Sequence, residues 1–413
     1  MVEPKDEKQK APVKKLKKQE SSSGSLAWKV SVSFSLAVLL ASIGTHFIVK
    51  PKIDAQKYDL GVPIQLDGVL KKNTKLSDAE LLLYDQIYGP ETIAVNTTKQ
   101  IAYTGLKTGL ICEIDLKSSP PKILRAVKLT SIDECDGSYS LMTKCGRPLS
   151  MRLNPFGELL IVDAYLGFFA INWETEKVRK VFGAGEQITG DEEAAPVRYL
   201  NDFDLLPDGR IVFSESSTKF DDRDFLLLIY DPRLKEIKIL KKNLHFPNGV
   251  QVALEPGASA KDDIRVFYAE MGMTRINAIW VPADKFSKKK PTNRIFLPNL
   301  PGYPDNIRMT ENGKLLIPIA SHRSASDSFF ETRPELRNFL TKVFSTKLLD
   351  LITRSLSETY GLVIKVDPNT REILDSYHDP TGNVHDVSCA VEDGLGNLLL
   401  GSDSAYFIAR KKI

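Results

Sequence analysis

Four residues far apart in the chain carry oxygen donors just ahead of short apolar runs. They are Glu91 in GPETIAV, Asn201 in YLNDFDLL, Asn248 in FPNGVQV and Asp305 in YPDNIRM. Two carboxylates and two carboxamides at one level of a fold could not stay unpaired away from water, because burying an unsatisfied amide or charge costs several kcal/mol. A hard cation would satisfy them. Calcium takes about six to eight oxygen ligands at about 2.3–2.6 Å, so these four with water or substrate make a workable set. Magnesium demands tighter octahedral geometry, and zinc would ask for His or Cys at these points. Taken singly, Asn and Asp at strand starts are ordinary turn residues. Their recurrence in register is what points to a metal.

Such a cation is a Lewis acid. It would polarise the carbonyl of an ester or lactone and stabilise the oxyanion that develops on it. His385, at the same level in NVHDVSC, is the best-placed base, with a satisfied structural histidine as the plain alternative. Arg147 in GRPLSMRL and Arg275 could hold an anionic substrate group or serve as ion-pair residues, and Asp386 adjoins His385. The chain has no G-x-S-x-G elbow, H-E-x-x-H or C-x-x-C, so serine-hydrolase, zincin and thioredoxin-like chemistry have no footing.

The elements that must bring these residues together are repeats. A turn followed by an aliphatic or β-branched run recurs in TTKQIAYTG, NPFGELLIVDA, LPDGRIVFSES, PGASAKDDIRVFYAE, ENGKLLIPIA and DGLGNLLLGS, with turns near residues 98, 157, 209, 260, 313 and 396. Each spacing has room for four short strands, which predicts an all-β, six-bladed β-propeller over residues 81–413. The long last spacing is filled by residues 326–356, whose Leu336, Phe339, Leu340, Val343, Phe344, Leu348, Leu349 and Ile352 fall at helical spacing. A helical insertion before the last blade is expected there, as core packing, a lid or a membrane-surface contact. In a propeller the innermost strands share one axis, which is how Glu91, Asn201, Asn248 and Asp305 could meet.

Charge locates the rest. Residues 1–29 hold eight Lys and four acids, a net of +4, so the other 384 residues of the +3 chain sum to −1. The folded part therefore lacks the footprint of a nucleic-acid binder. Residues 30–49 contain no Asp, Glu, Lys or Arg, which predicts a transmembrane signal anchor, with the basic tail 1–29 cytosolic, 50–80 a linker and lead-in, and the propeller on the lumenal or extracellular side. The endoplasmic reticulum and the plasma membrane both fit this type II topology. Asn96-Thr97-Thr98 is a glycosylation sequon. Cys135 and Cys145 flank a polar loop and could close a small disulfide, while Cys112 and Cys389 could pair or remain buried thiols.

CGRPLSMRLNPFGELLIVDAYLGFFAIN, LNDFDLLPDGRIVFSESSTKFDDRDFLLL, HFPNGVQV, PGYPDNIRMTENG and YHDPTGNVHDVS, in this order, resemble the adipocyte plasma membrane-associated protein family, animal members of the strictosidine synthase-like propellers. The resemblance runs from about residue 60 to the end and includes the anchor and the insertion. It implies a six-bladed propeller on a type II anchor and a Cys135–Cys145 disulfide. A wider similarity to paraoxonase, gluconolactonase and phosphotriesterase propellers implies calcium at Glu91, Asn201, Asn248 and Asp305, with Asp305 as nucleophile or base. The chain departs from these patterns at two points. HDVSCAVED offers Asp386 as the nearest candidate for the catalytic glutamate of strictosidine synthase and puts Cys389 where relatives often have a glutamate, which argues against strictosidine formation. Arg147-Pro148 stands where paraoxonase-like enzymes use His. The reading that follows is a calcium-dependent arylesterase- or lactonase-like hydrolase, and its alternative is a membrane-tethered binding module with a structural calcium.

Overall fold

Five of the six turns identified in the sequence lie between the first two strands of an antiparallel sheet, and the turn near 260 falls outside the described residues. The fold is seen in a computed structural model that describes residues 23–50, 55–191, 195–216, 225–254, 257, 262–284, 286–287, 289–345, 348–349, 351–352 and 358–413. Runs such as Leu159–Asp163 and Gly361–Val366 are short, apolar and rich in Val and Ile, and they are buried along nearly their whole length, as expected of strands packed on both faces. Six sheets result. Blade 1 comprises Ile93–Asn96, Ile101–Gly105, Leu110–Asp115 and Lys122–Lys128, and blade 2 comprises Pro148–Leu153, Leu159–Asp163, Gly167–Asn172 and Lys177–Gly183. Blade 3 is Leu200–Leu205, Ile211–Glu215, Phe225–Asp231 and Glu236–Leu244, and blade 4 is Pro247–Ala253, Ile264–Glu270, Arg275–Val281 and Thr292–Leu297. Blade 5 begins with a broken inner strand, Gly302–Pro304 then Arg308–Met309, and continues through Leu315–His322, Gly361–Val366 and Ile373–Asp379.

Blade 6 closes the ring with strands from both ends of the propeller. Val387–Glu392, Asn397–Ser402 and Ile408–Lys412 are joined by Glu80–Leu82, which pairs with the C-terminal strand. This is the six-bladed, mostly β architecture expected. Apolar clusters form between neighbouring blades, for example Phe168, Phe182, Phe203, Phe213 and Tyr230 between blades 2 and 3. The lead-in is part of this packing: Leu70 is buried against blades 4 and 5, and Leu76 against blades 5 and 6.

The insertion lies within blade 5, between Leu315–His322 and Gly361–Val366. It forms the helices Ala325–Glu331 and Pro334–Val343, while 346–347, 350 and 353–357 of the expected 326–356 segment fall outside the described residues. The preceding chain rests on these helices, with Ala55 N donating to Asn338 Oδ1 (3.0 Å) and Tyr58 N to Glu331 O (3.3 Å).

The described residues 23–50 belong to a unit of their own. Its helix, Ser23–Ile48, covers most of the expected span, but among the described residues no helix is long and apolar enough to cross a membrane. A spanning helix over 30–49 is therefore not supported by the fold. Residues 1–22 of the basic tail lie outside the described residues.

Cys135 and Cys145 form a disulfide, and Cys112 and Cys389 are free and buried. Of the two alternatives for the second pair, the thiols hold. Asn96 ends the inner strand of blade 1, half-buried, and its Oδ1 accepts from Lys99 N at 2.9 Å.

Candidate functional site

The innermost strands lose their regular pairing at one level. Register breaks fall between Pro148 and Ser150, Leu200 and Phe203, Pro247 and Val250, and Val387 and Cys389, and in blade 5 the inner strand is interrupted at 305–307. Bulges re-aim side chains that a regular pleat would alternate. Asn201, Asn248 and Asp305 sit inside three of these breaks, and Glu91 lies just before the first strand of blade 1. The chain at Glu91 is tied to blade 6 by Ser388 Oγ, which donates to Glu91 O at 2.6 Å, and by Ser402 N to Pro90 O at 2.9 Å. Gly249 permits a close approach of blades 4 and 5, since a Cβ there would collide with the backbone of Asp305 and Ile307.

All four expected ligands are buried, at 3–5% exposure. Asn201 Nδ2 donates to Ser216 Oγ at 3.2 Å and Asn248 Nδ2 to Met271 Sδ at 3.6 Å. Their carbonyl oxygens, and Asp305 Oδ1, have no hydrogen-bond partner. Orphaned buried acceptors are rare and costly, and here three fall on residues singled out by register. Asn306 adds to the set. It is fully buried with neither side-chain atom partnered, while its backbone N donates to Ser388 O at 3.0 Å.

The electrostatics tie these residues to one another. Burial lifts Glu91 to about 7, against the pull of Arg147 and with Asp403 and Asp202 adding to the rise. Burial also raises Asp305 well above the usual carboxylate range, and Glu91 is the foremost charge adding to it, while the Asn248 amide pulls it back. Among the described residues no three His, Cys, Asp or Glu side chains form a metal-binding group. The donors that converge are two carboxylates and carboxamide oxygens, a set that suits calcium rather than zinc.

Arg147 is buried on the site. Its Nη2 donates to Glu91 Oε2 at 2.9 Å and its Nη1 to Gly89 O at 3.1 Å. The Cys135–Cys145 bridge and the short helix Tyr139–Cys145 lead directly into it. Arg275 instead pairs with buried Glu270, at 2.7 Å. His385 is half-buried. Its Nδ1 lies 3.1 Å from Gly382 O, and because a carbonyl only accepts, Nδ1 carries the proton and Nε2 the lone pair. Asp386 takes a left-handed conformation (φ 48°) and accepts from Ser404 Oγ at 2.5 Å. Among the described residues, neither His385 nor Asp386 hydrogen-bonds to the orphaned oxygens.

Sequence reasoning missed the floor of the channel. Asp202, fully buried beside Asn201, accepts from Arg308 Nη1 at 2.7 Å, from Val250 N at 2.6 Å and from Ser150 Oγ. Arg308 reaches on to Thr92 Oγ1 at 3.4 Å. Next to this layer Arg152 binds Phe203 O and Val250 O, both at 2.6 Å, and Gln251 Nε2 donates to Asp204 Oδ2 at 2.8 Å. An arginine inside the run Ile307-Arg308-Met309 was the available signal, since a buried guanidinium needs an acidic partner. At the ring, Lys107 Nζ pairs with Asp403 Oδ1 at 3.0 Å.

A second polar group sits in blade 5. Tyr360 OH lies 2.8 Å from His378 Nδ1, and His378 Nε2 lies 3.0 Å from Ser376 Oγ, which donates to Val69 O at 2.6 Å. Burial, reinforced by neighbouring positive charge, holds both His378 and the adjacent His322 down at about 4.

Fold and site together define a strictosidine synthase-like six-bladed propeller. The strictosidine synthase family matches residues 201–284, and the strictosidine synthase-like N-terminal family matches residues 68–114. The chain belongs to the adipocyte plasma membrane-associated protein family: it is 30% identical over 404 residues to the Salmo salar protein of that name, covering 94% of this chain and 91% of the relative. Identity to the Homo sapiens protein is 31% over 401 residues, covering 92% and 88%. The Arabidopsis thaliana protein strictosidine synthase-like 3 is 25% identical over 93% of this chain and 98% of its own. Among solved structures, a gluconolactonase of Xanthomonas campestris shares the fold with a TM-score of 0.51 at 12% identity, covering 86% of this chain and 96% of that one.

Proposed function

We propose that the protein is a membrane-associated propeller that hydrolyses esters or lactones at a calcium site formed by Glu91, Asn201, Asn248 and Asp305, with Asn306 completing the donors. The observation that carries this reading is the set of unpartnered, buried oxygens on Asn201, Asn248 and Asp305. Calcium would supply Lewis acidity to a substrate carbonyl. Asp305 is the carboxylate to attack or to activate water. His385, with its lone pair on Nε2, is the alternative base. Arg147 orients Glu91 by holding one of its oxygens, which leaves it a positioning residue rather than a substrate clamp. The name of the Arabidopsis relative, strictosidine synthase-like 3, lends support to small-molecule chemistry at such a channel.

Attachment to a membrane would come through the Ser23–Ile48 helix as a type II anchor. The uncharged stretch 30–49, the lysines before it, the Cys135–Cys145 disulfide and the relatives' name support this topology. Protease protection and alkaline extraction of the full chain from cell membranes test it, and a chain released by alkali would refute the anchor.

The function is tested by turnover of aryl esters and lactones by the full chain with calcium and after chelation. Calcium-dependent turnover that Asp305→Asn abolishes, in protein that melts like wild type, is the expected result. A calcium-dependent melting shift with no turnover on any ester or lactone would favour the binding module, a reading supported by the engagement of Arg147, Arg275 and Asp386 with other protein groups.

A further inference from the structure

We propose that a cleft between the outer strands of blades 4 and 5 binds a phosphate group, carried either on a small soluble molecule or on a lipid headgroup. The cleft has a volume of about 120 Å³ and is lined by Arg265, Arg294, Arg371, Trp280, Phe296 and Asn369, among others, with no Asp or Glu in its wall. Three guanidiniums in one concavity are a local excess, because residues 30–413 sum to −1. Guanidinium forks match phosphate oxygens in geometry as well as charge.

Arg265 is held in place before any ligand arrives. It is buried; its Nη1 donates to Pro368 O and its Nη2 to Asn369 Oδ1, both at 2.8 Å, which fixes the loop that carries Arg371. Asp367 Oδ1 braces the same loop by accepting from Asn369 N at 2.8 Å and Thr370 N at 3.1 Å. Its other oxygen takes Lys314 Nζ at 2.6 Å, so this nearby carboxylate is already engaged. Arg294 lies over Trp280 at 5.8 Å and Arg371 over Phe296 at 5.9 Å. Both arginines are exposed, and among the described residues neither has a carboxylate partner. Stacking leaves their N–H edges available. The cavity is large enough for an oxyanion and too small for a whole organic ligand, whose remainder would lie along the apolar wall of Phe296.

This cleft is separate from the channel. None of its residues lies on an innermost strand, and strand register puts it at the opposite end of blade 4. Pro247 pairs with Glu270 at the end that carries Asn248, whereas Ala253 pairs with Arg265, and Arg265 with Trp280, at the other.

The test is calorimetric titration of the full chain in neutral detergent micelles with inorganic phosphate, glycerol 3-phosphate and dihexanoyl phosphatidic acid, with dihexanoyl phosphatidylcholine as the lipid lacking a phosphomonoester. The Arg294→Gln/Arg371→Gln variant is expected to weaken binding at least tenfold. A Lys99→Gln/Lys117→Gln control, which removes the same charge from blade 1, is expected to bind as wild type. Binding of inorganic phosphate and glycerol 3-phosphate identifies a soluble ligand, and binding of the phosphatidic acid alone identifies a headgroup; either supports the site. Should the glutamine variant fail to fold, Arg294→Lys/Arg371→Lys keeps the charge, loses the fork and is expected to bind several-fold more weakly. No binding of any phosphate probe, or equal weakening in the blade 1 control, would overturn the proposal.

Discussion

Replacing Asn201 with leucine separates a metal-binding carboxamide from a merely buried one. The two side chains have nearly the same shape, so packing changes little. In the protein stripped of calcium, Asn201 Oδ1 is a buried acceptor with no partner, and such a group costs about 1–3 kcal/mol. Against this, Asn201→Leu loses one hydrogen bond to Ser216 Oγ, 3.2 Å long, worth about 0.5–1.5 kcal/mol. Ser216 Oγ keeps Pro247 O as its acceptor. The chelated variant should therefore be as stable as wild type, or more stable by about 1 kcal/mol. With calcium present the sign reverses. Metal at a hundred times its Kd stabilises the folded state by about 2.7 kcal/mol, and a site missing one ligand forfeits much of that. Adding calcium should thus swing the variant relative to wild type by about 2 kcal/mol, and by no more than the full value of about 2.7 kcal/mol. Urea unfolding of the full chain in millimolar calcium and in chelator measures the swing. Equal destabilisation in both conditions would refute the reasoning and make Asn201 an ordinary structural amide.

Three further outcomes are expected. Gly249→Ala drives a Cβ into the backbone of Asp305 and Ile307, which cannot yield as a side-chain tip can; a loss of about 2 kcal/mol or more should appear in urea unfolding together with weaker calcium binding. Arg308→Met strands the buried Asp202 carboxylate and should cost about 3–5 kcal/mol, much of it restored in Arg308→Met/Asp202→Asn, and a double variant no better than the single would show that the pair does not act as a unit. His322 and His378 are held near 4 in the folded chain, below the usual value of 6.5. The unfolded chain therefore binds more protons between those values, so the stability they contribute is present above about pH 6.5 and is lost as pH falls through 4, on the order of 3 kcal/mol for the pair after screening. His322→Phe should flatten that acid limb in a pH series of melting temperatures, and an unchanged limb would count against it.

The sequence carried the architecture because each blade repeats one local pattern, a turn and then a buried apolar run, and that pattern needs no long-range information. TTKQ before Ile101 and NPFGE before Leu159 are readable alone. It also placed Glu91, Asn201, Asn248 and Asp305 at one level, since register along equivalent strands is itself a repeat property. What it could not give were contacts that cross between blades. The Asp202–Arg308 pair joins blades 3 and 5 over 106 positions, and the Arg147–Glu91 pair joins blades 1 and 2 over 56. Neither partner's type names the other. Asn306 stood beside Asp305 in plain view, but a strand alternates its faces, and a side chain next to a ligand is expected to point away. Only the broken inner strand of blade 5 lifts that expectation.

The same register breaks explain why the polar residues of the channel divide into a closed floor and an open ring. Below the breaks, charge meets charge: Asp202 is satisfied by Arg308, Ser150 and Val250 N, and Asp204 by Gln251 and Val252 N. Nothing there asks for a ligand. At the breaks the charges are spent unevenly. Arg147 occupies one oxygen of Glu91, Lys107 engages Asp403, and Asp305 Oδ1 has no hydrogen-bond partner. A divalent ion in this ring would meet the Glu91 and Asp305 carboxylates and several carbonyl dipoles, enough to hold a hard cation without saturating its coordination of about six to eight oxygens. Positions left over are the ones a substrate carbonyl could take. A floor that needs nothing beneath a ring that lacks a partner confines any such chemistry to a single mouth of the propeller.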